Sequence, residues 1–179
     1  MAAVAHAPVP ARLRSGAPAI LDIEASGFGR ASYPIEVGYI LGDGTSFCTL
    51  IRPAPTWTHW DTSAESVHHI PRATLDRHGR SVAEVAATLN ERLRGQTLFS
   101  DGWGHDYPWL SALFEEAGCV PLFRLDSLRK LLSEDEATRW QRTRDRISGE
   151  FSLARHRAST DAWLLQQTWL RVQEEAGAD

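Results

Sequence analysis

The sequence predicts one α/β domain, in which helices cover the faces of a mixed five-stranded β-sheet. The chain has 179 residues, which is enough for a single domain with a sizeable core. Its apolar segments follow the order three strands, helix, strand, helix, strand and helices, and no part of the sequence repeats. Strands that alternate with helices are typical of a sheet whose faces those helices cover.

Five short apolar segments have the composition of β-strands. The first three are expected to form an antiparallel meander, because the turn signal Gly42-Asp43-Gly44 joins the second to the third. Pro53 and Pro55 end the third strand, since proline cannot donate to a strand ladder. The last two strands follow helices and are expected to be parallel. The five predicted strands are residues 18–24, 34–41, 45–51, 97–100 and 120–125.

The helices are predicted from apolar spacing and from signals at their ends. Ser81 and Glu84 form a capping box, and Gly95 ends the helix that follows. Pro108 suits only a first helical turn, so the next helix is expected to begin near Asp106. The predicted helices are residues 81–94, 106–118, 126–132 and 159–173.

Two polar segments separate these elements. Residues 56–80 are predicted to be an irregular loop with two tryptophans and four histidines, and loops of this length usually have a function. A zinc site is one interpretation of the histidines. The other interpretation is that these histidines pack or form hydrogen bonds, and the lack of a nearby cysteine favours it. Residues 133–149 are interpreted as a solvated helical face, with a phosphate-binding track as the alternative.

Composition excludes several classes of protein. The formal net charge is −4 and the pI is about 6.0, which excludes a basic protein that coats nucleic acid without specificity. Cys48 and Cys119 lie far apart, so neither a disulfide framework nor a zinc knuckle is expected, and a reducing cytoplasm fits. No apolar run reaches the roughly 20 residues of a membrane helix, so no membrane partner is expected.

Both ends of the chain are expected to lie outside the domain. The first 17 residues are rich in alanine, proline and arginine and contain no acidic residue. They lack the apolar core of a secretion signal, so residues 1–17 are interpreted as a disordered leader, with a transit peptide as the alternative. Residues 18–175 then form the domain, and residues 176–179 form a short tail.

Two acidic residues interrupt the first predicted strand. Asp22 and Glu24 are two positions apart, so both side chains point to the same face of the strand. Like charges that lie close together on a buried strand repel each other and are costly to remove from water. A bound cation or a shared proton would offset that cost. The alternative is a strand end whose two acids point into water.

Three further residues are candidates for the same site. Asp106 is expected at the start of the helix after the fourth strand, and Asp161 lies in the first turns of the last helix, five residues after His156. If the first strand is central, both helix N-termini can reach it and four carboxylates converge. Such a cluster is favourable around hard divalent cations such as Mg²⁺ or Mn²⁺. Two such ions assist phosphoryl displacement, for which a histidine can supply the base.

These residues belong to three motifs that follow one another along the chain. The motifs are Leu21-Asp-Ile-Glu-Ala-Ser-Gly27 with Ile35-Glu-Val-Gly38, then Asp101-Gly-Trp-Gly-His-Asp106-Tyr-Pro-Trp-Leu110, then His156-Arg-Ala-Ser-Thr-Asp161-Ala162. In this order and spacing they resemble the motifs of the DEDDh 3′–5′ exonucleases, the superfamily of proofreading polymerase subunits and oligoribonuclease. Residues 67–70 and 125–128 agree with softer marks of that family. The resemblance covers roughly residues 18–172 and implies a ribonuclease H-like fold.

The resemblance implies a role for each residue of the site. Asp22, Glu24 and Asp161 would hold two divalent cations, Mg²⁺ or Mn²⁺, with Asp22 bridging them. Asp106 would complete the site, and His156 would be the general base. The implied reaction removes nucleoside 5′-monophosphates from the 3′ end of single-stranded RNA or DNA.

The turn after the first strand is implied to bind the terminal nucleotide. The backbone around Ala25 and Ser26 would receive it, and Gly27 and Phe28 would form the wall against which it rests. Phe28 either packs against the base or serves as a core or lid aromatic. The same two interpretations, base stacking or packing, apply to three tryptophans, Trp57, Trp60 and Trp103.

The second motif departs from the family pattern. Gly102 stands where the family often has asparagine, and His105 stands where it commonly has an aromatic residue. Asp101 is therefore a rival of Asp106 for the metal site, although the apolar pair that follows at the family's offset favours Asp106. In the first motif, Ser26 replaces the usual threonine. None of these changes removes a candidate ligand.

Two functions of different kinds fit the sequence. The first is a metal-dependent 3′–5′ exonuclease, because the set of five acid and histidine residues is complete. The second is a module that binds a nucleotide or a nucleic-acid end without turnover, since a fold does not determine activity. A serine hydrolase is not expected, because the chain has no Gly-x-Ser-x-Gly motif. Small members of the family often pair, so the resemblance adds a homodimer as an expectation.

Overall fold

The computed structural model describes residues 16–151 and 156–176, which contain a five-stranded sheet. The strands are β1 (Ala19–Ala25), β2 (Pro34–Ile40), β3 (Ser46–Leu50), β4 (Thr97–Ser100) and β5 (Arg124–Ser127). They lie in the order β3-β2-β1-β4-β5, with β1 at the centre. β1, β2 and β3 are antiparallel, whereas β4 runs parallel to β1 and β5 runs parallel to β4. The predicted meander and the two parallel strands are confirmed.

Helices cover both faces of this sheet. They are α1 (Thr62–His68), α2 (Arg72–His78), α3 (Val82–Leu93), α4 (Trp103–Glu116), α5 (Glu134–Phe151) and α6 (Ala158–Ala176). α3 and α4 pack on one face, and α6 packs on the other with α5 behind it. Residues of α2 and of the turn before it form a smaller cluster with the start of β2. The predicted α/β class is therefore confirmed.

The central strand β1 separates the two layers through the alternation of its side chains. Leu21 and Ile23 are buried among residues of α3 and α4, whereas Ile20 packs with residues of α6. Because side chains alternate along a strand, Asp22 and Glu24 share the face of Ile20. The acid pair therefore lies on the face of the sheet that α6 covers.

α6 approaches the sheet backbone most closely at β2. Gly38 lies opposite Asp22 in the strand register. A Cβ atom at position 38 would lie 2.4 Å from the backbone nitrogen of Ser159 and 2.5 Å from the carbonyl carbon of Ala158. Any side chain there would push the start of α6 away from the sheet. Gly38 thus allows the first turn of α6, which carries Asp161, to reach the acid pair.

The prediction of an irregular loop at residues 56–80 is wrong, because this segment contains α1 and α2. Asp61 caps α1 by accepting a hydrogen bond from the backbone N–H of Ser63 at 2.8 Å. His69 ends α1 in the left-handed conformation with φ of 55°, and Pro71 precedes α2. Each helix has only seven residues, which is too short for a clear periodic pattern. Only the end signals at Asp61 and Pro71 could have indicated them.

α4 begins at Trp103 rather than at the predicted Asp106. Pro108 therefore lies inside the helix and not in its first turn. Because proline has no N–H, the hydrogen bond to the carbonyl of Gly104 is missing. That omission falls near the start of a 14-residue helix, whose remaining turns pack against the sheet.

β5 begins at Arg124 rather than at the predicted Val120. Val120 and Leu122 are 69% and 38% exposed and belong to the connection before the strand. The side chain of Asn90 holds this connection, since its amide donates to the carbonyl of Val120 at 2.9 Å and its oxygen accepts from the N–H of Leu122 at 2.7 Å. The apolar residues of this segment predicted a strand, but the backbone of Val120 and Leu122 binds the side chain of Asn90 rather than a neighbouring strand. The helix predicted at residues 126–132 is a 3₁₀ turn at Leu128–Leu131.

The charged segment at residues 133–149 is helical, as predicted, and lies almost entirely in α5. Thr143 and Ile147 are buried, whereas Arg142 and Asp145 are exposed. One side of α5 therefore packs on α6 while the other is solvated. No helix in residues 16–151 and 156–176 is long and apolar enough to cross a membrane. The leader predicted at residues 1–17 and the tail predicted at 176–179 fall almost entirely outside the described residues.

Candidate metal centre and active site

The acid pair on β1 is partly buried and lies among other carboxylates. Burial, together with the carboxylates of Asp106, Glu24 and Asp161, raises the pKa of Asp22 well above its usual value. Burial and the carboxylate of Asp161 raise the pKa of Glu24 to about 8. Two acids in open water would keep their ordinary pKa values. The alternative of a solvated strand end therefore does not fit the structure.

The start of α4 brings Asp106 to the acid pair. Its carboxylate is buried and accepts a hydrogen bond from the hydroxyl of Ser100, and burial raises its pKa to about 7. Asp101 instead accepts a hydrogen bond from the guanidinium of Arg144 at 2.8 Å, although its charge also raises the pKa of Asp22 and of Asp106. A Cβ atom at Gly102 would lie 3.1 Å from Oδ2 of Asp106, so the small residue leaves room beside that carboxylate. This geometry favours Asp106 over its rival.

The N-terminal turn of α6 supplies an acid and a histidine. The backbone N–H of His156 donates to Oδ2 of Asp161 at 2.8 Å. Glu24, His156 and Asp161 each offer one ligand atom, and these three atoms lie within 4.8 Å of one another. Asp161 is buried and His156 is half-buried. The third motif is thus brought against the first, although the two are far apart in the sequence.

The donor set of this cluster suits a hard divalent cation. Four other carboxylates raise the pKa of Asp22, namely those of Asp106, Glu24, Asp161 and Asp101. Carboxylate oxygens are the ligands that Mg²⁺ and Mn²⁺ prefer. A cation bound among them would relieve the repulsion that otherwise favours their protonated forms.

A buried glutamate beside the acid pair was not among the predicted site residues. Glu36 lies opposite Glu24 in the register of β2 and β1 and is fully buried. It accepts hydrogen bonds from Nε of Arg157 at 3.1 Å, from Nη2 of Arg157 at 2.6 Å and from the N–H of Ala158 at 2.9 Å. Both partners occur in the quoted motifs, but only the tertiary contact reveals that they are partners.

A cavity of about 250 Å³ adjoins Glu24. Its walls include three of the predicted nucleotide-binding residues and part of α1 and α4, namely Ala25, Gly27, Phe28, Val67, His68 and Trp109. Phe28 is 69% exposed, and its ring centroid lies 5.7 Å from that of His105 and 6.4 Å from that of Trp109. So exposed a ring is not a core residue. Phe28 forms one wall of the cavity mouth.

Ser26 differs from the other residues predicted to bind the nucleotide. It is fully buried, its N–H donates to the carbonyl of Tyr33 at 2.9 Å, and its carbonyl accepts from the N–H of Asp61 at 2.8 Å. Its backbone groups are therefore engaged within the protein, and Ser26 shapes the turn while its neighbours line the cavity. Gly27 has φ of 151°, and a Cβ atom there would lie 2.6 Å from Cε1 of His59. Only glycine fits this close approach.

The three tryptophans have different surroundings. Trp57 stacks on a buried tyrosine with ring centroids 5.1 Å apart. Trp60 donates to the carboxylate of Glu65 at 2.6 Å. Trp103 is 41% exposed, and its indole N–H donates to the carbonyl of Leu125 at 3.2 Å. Packing thus describes the first two, whereas Trp103 presents an open ring face near the start of α4.

Solved structures of exonuclease I share the fold of this chain. It superposes on E. coli exonuclease I in complex with a dA16 oligonucleotide with a TM-score of 0.66 at 12% identity, covering 88% of this chain and 41% of that one. The moderately thermophilic exonuclease I from Methylocaldum szegediense gives a TM-score of 0.68 at 13% identity, covering 88% and 40%. A product-bound exonuclease I gives 0.67 at 13% identity, covering 88% and 43%. No protein-family model matches the chain, and no curated protein matches it in sequence.

This likeness concerns the fold. The chain spans less than half the length of these exonuclease I structures. TM-scores of 0.66 and 0.68 at only 12–13% identity show a common architecture, here the ribonuclease H-like sheet that the motif resemblance implied. The resemblance drawn from the acidic motifs and the structural likeness therefore lead to the same fold.

Proposed function

We propose that this protein is a metal-dependent 3′–5′ exonuclease that releases nucleoside 5′-monophosphates from single-stranded nucleic acid. One observation carries the proposal. Glu24, His156 and Asp161 bring ligand atoms within 4.8 Å of one another, beside the partly buried carboxylate of Asp22 and the buried carboxylate of Asp106. The exonuclease I-like fold supports the same class of reaction.

The four carboxylates would hold two divalent cations, Mg²⁺ or Mn²⁺. The ligands are Asp22, Glu24, Asp106 and Asp161. When bound, such ions stabilise the negative charge that develops on the attacking and leaving oxygens. The raised pKa values of Asp22, Glu24 and Asp106 support this assignment, because carboxylates that repel one another gain from a cation placed among them.

His156 would act as the general base. A water molecule attacks the phosphorus of the last phosphodiester, and its proton passes to the imidazole. The bond between phosphorus and the 3′ oxygen of the preceding nucleotide breaks, and that oxygen takes up a proton to become the new 3′ hydroxyl. The proximity of the His156 ring to the carboxylates of Glu24 and Asp161 supports this role. Histidine suits it because its usual pKa is close to neutral.

The cavity beside Glu24 is the proposed seat of the 3′-terminal nucleotide. Ala25 and Gly27 line it, and Phe28 offers an exposed ring face at its mouth. Aromatic rings stack on any base, so this contact suits an enzyme without sequence preference. E. coli exonuclease I has been solved in complex with a dA16 oligonucleotide, which makes single-stranded DNA the first substrate to test and RNA the second.

The test compares four proteins on the same strands. Wild type, Asp22→Ala, His156→Ala and the control Glu91→Ala are incubated with 5′-labelled DNA and RNA in Mg²⁺, Mn²⁺ or EDTA. Glu91 is exposed on α3, away from the acid pair. We expect wild type and Glu91→Ala to shorten strands from the 3′ end only with metal. Asp22→Ala and His156→Ala should be slower by about 10²-fold or more, because general acid–base catalysis alone contributes that much.

Two further arms separate the competing outcomes. A strand blocked at its 3′ end should resist shortening, and product analysis should show nucleoside 5′-monophosphates. If the wild type shortens neither DNA nor RNA with either metal, the proposal is wrong. Stoichiometric binding without shortening would support the alternative of a binding module on the same fold.

A further inference from the structure

We infer that the ion pair between Glu36 and Arg157 is a positioning element that holds His156 in place for proton transfer. The inference rests on the proposed function, because it takes His156 as the general base. Neither Glu36 nor Arg157 belongs to the proposed metal-binding or nucleotide-binding residues. Both would act on the reaction through the position of His156.

The backbone of His156 needs a restraint. Its φ is 63°, and among the described residues only His69 shares a positive φ without being glycine. The left-handed conformation costs a residue with a Cβ atom about 1–2 kcal/mol, so it persists only where neighbouring contacts stabilise it. Glycine would relieve this strain but would remove the imidazole. The chain therefore needs another means to hold this turn.

Three consecutive residues at this turn are each anchored. The N–H of His156 donates to Asp161 at 2.8 Å. The guanidinium of Arg157 makes three contacts of 2.6–3.1 Å with the two carboxylate oxygens of Glu36, and the N–H of Ala158 donates to the same carboxylate at 2.9 Å. One buried carboxylate thus binds both the side chain and the backbone that follow His156 directly.

Glu36 connects this turn to the metal-binding strand. It lies opposite Glu24 in the antiparallel register of β1 and β2, so the hydrogen-bond ladder sets the distance between the two glutamates. The contact of Gly38 with Ala158 and Ser159 restrains the same turn from a second point on β2. The position of His156 relative to Glu24 is therefore set by rigid elements rather than by a loop.

Stability alone gives a poor account of this ion pair. The Glu36 side chain is 1% exposed whereas that of Arg157 is 47% exposed, and the cost of removing the Glu36 charge from water offsets much of what the pair contributes. The contact is also specific to arginine, since the planar guanidinium meets both carboxylate oxygens whereas an ammonium group would act as a single point. Directional contacts of this kind are suited to fixing a geometry.

The decisive variant is Arg157→Lys, which keeps the positive charge beside Glu36 but loses the planar contact. We expect kcat for 3′ shortening to fall about 10- to 100-fold with KM almost unchanged, because a misplacement of about 1 Å can cost 10²-fold. In a His156→Ala background, Arg157→Lys should cause no further loss, since it acts only through the imidazole. The matched control is Arg171→Lys, an exposed arginine on α6 that pairs with Glu174 at 3.8 Å. An equal loss in both backgrounds would overturn the inference.

A second measurement requires no turnover. Amide hydrogen exchange followed by NMR reports whether the N–H groups of His156 and Ala158 remain bonded in the full-length protein. We expect faster exchange at both in Arg157→Lys and unchanged exchange at Leu165 in the interior of α6. Unchanged protection at His156 would overturn the inference even if the wild type shows no nuclease activity. The failure of the inference is thereby distinguished from the failure of the proposed function.

Discussion

Glu24 and Glu36 are direct neighbours across β1 and β2, yet their charges are handled in opposite ways. Glu36 meets the guanidinium of Arg157 and a backbone N–H, so its negative charge is compensated by the chain itself. Glu24 lies among other carboxylates, and burial and Asp161 raise its pKa to about 8. Two identical side chains at the same register position thus have different electrostatic surroundings.

Glu36 therefore has a structural charge that the protein pairs internally, whereas the charge of Glu24 is suited to an external cation. Arg157 also lowers the pKa of Glu24, but this effect is smaller than the opposing effects of burial and Asp161. Within residues 16–151 and 156–176, Arg157 is the cation that acts on both adjacent glutamates, and its hydrogen bonds go to Glu36. A buried carboxylate left without such compensation is costly, and the cost is relieved by protonation or by a metal ion.

The largest expected effect concerns activity. Glu24→Gln should lower metal-dependent hydrolysis about 10³-fold, because an amide is a poor ligand and several kcal/mol of transition-state stabilisation depend on the bound metal. Glu36→Gln should lower it only about 10-fold, because it loosens the turn at His156 without removing a ligand. Initial rates on single-stranded DNA at saturating Mg²⁺ test this difference. Equal losses would show that the two glutamates have the same role.

The second effect concerns stabilisation by metal. At a Mg²⁺ concentration 100-fold above its Kd, the free energy of unfolding of the wild type should rise by about 2.7 kcal/mol. Glu36→Gln should keep most of this gain, whereas Glu24→Gln should lose most of it. Urea unfolding in Mg²⁺ and in EDTA measures both. A gain that survives in Glu24→Gln would place the cation elsewhere.

The third effect is the stability of the metal-free protein. Glu36→Gln should lower the free energy of unfolding by about 2 kcal/mol, because it removes charge-assisted hydrogen bonds from a buried position. Glu174→Gln is the matched control, since Glu174 pairs with Arg171 on the surface and such pairs contribute at most about 1 kcal/mol. Urea unfolding in EDTA compares the two. Similar values for both variants would contradict a special role for the buried pair.

The fourth effect has the opposite sign and depends on pH. The pKa of Glu24 is about 8 in the folded protein and ordinarily 4.5, so the folded state holds a proton that the unfolded state releases between these values. Glu24 therefore lowers stability as pH rises from 4.5 to about 8. In EDTA at pH 8, Glu24→Gln should be more stable than wild type, and the gain should vanish at pH 4. A gain that is independent of pH would contradict the raised pKa.

Local signals predicted the parts of the fold that depend on nearby residues. The capping box of Ser81 and Glu84 forms as expected, and it starts α3 at Val82. The strand at Thr97–Ser100 is also found where it was predicted. The short helices α1 and α2 and the displaced β5 were missed, because their apolar patterns are too short or belong to a connection that a distant side chain holds.

Some features of the candidate site were likewise predicted from the sequence, whereas others depend on tertiary contacts. The spacing of Asp22 and Glu24 predicted that they share a face, the order of the predicted elements added Asp106, His156 and Asp161, and the motif resemblance implied a role for each. None of these signals predicted the ion pair between Asp101 and Arg144. Nor did they predict that both backbone groups of Ser26 are hydrogen-bonded within the protein. Both depend on contacts between segments that are distant along the chain.

The sequence by itself supplied the candidate site residues and determined that two of them lie on one face of a strand, because the alternation of side chains is a property of the local backbone. Only the tertiary structure decided which glutamate of β1 and β2 receives a cation. That choice depends on a contact between Arg157 and Glu36, which are separated by 121 positions. It also depends on Gly38, which lets α6 approach the sheet. Long-range packing of this kind leaves no periodic signal in the sequence.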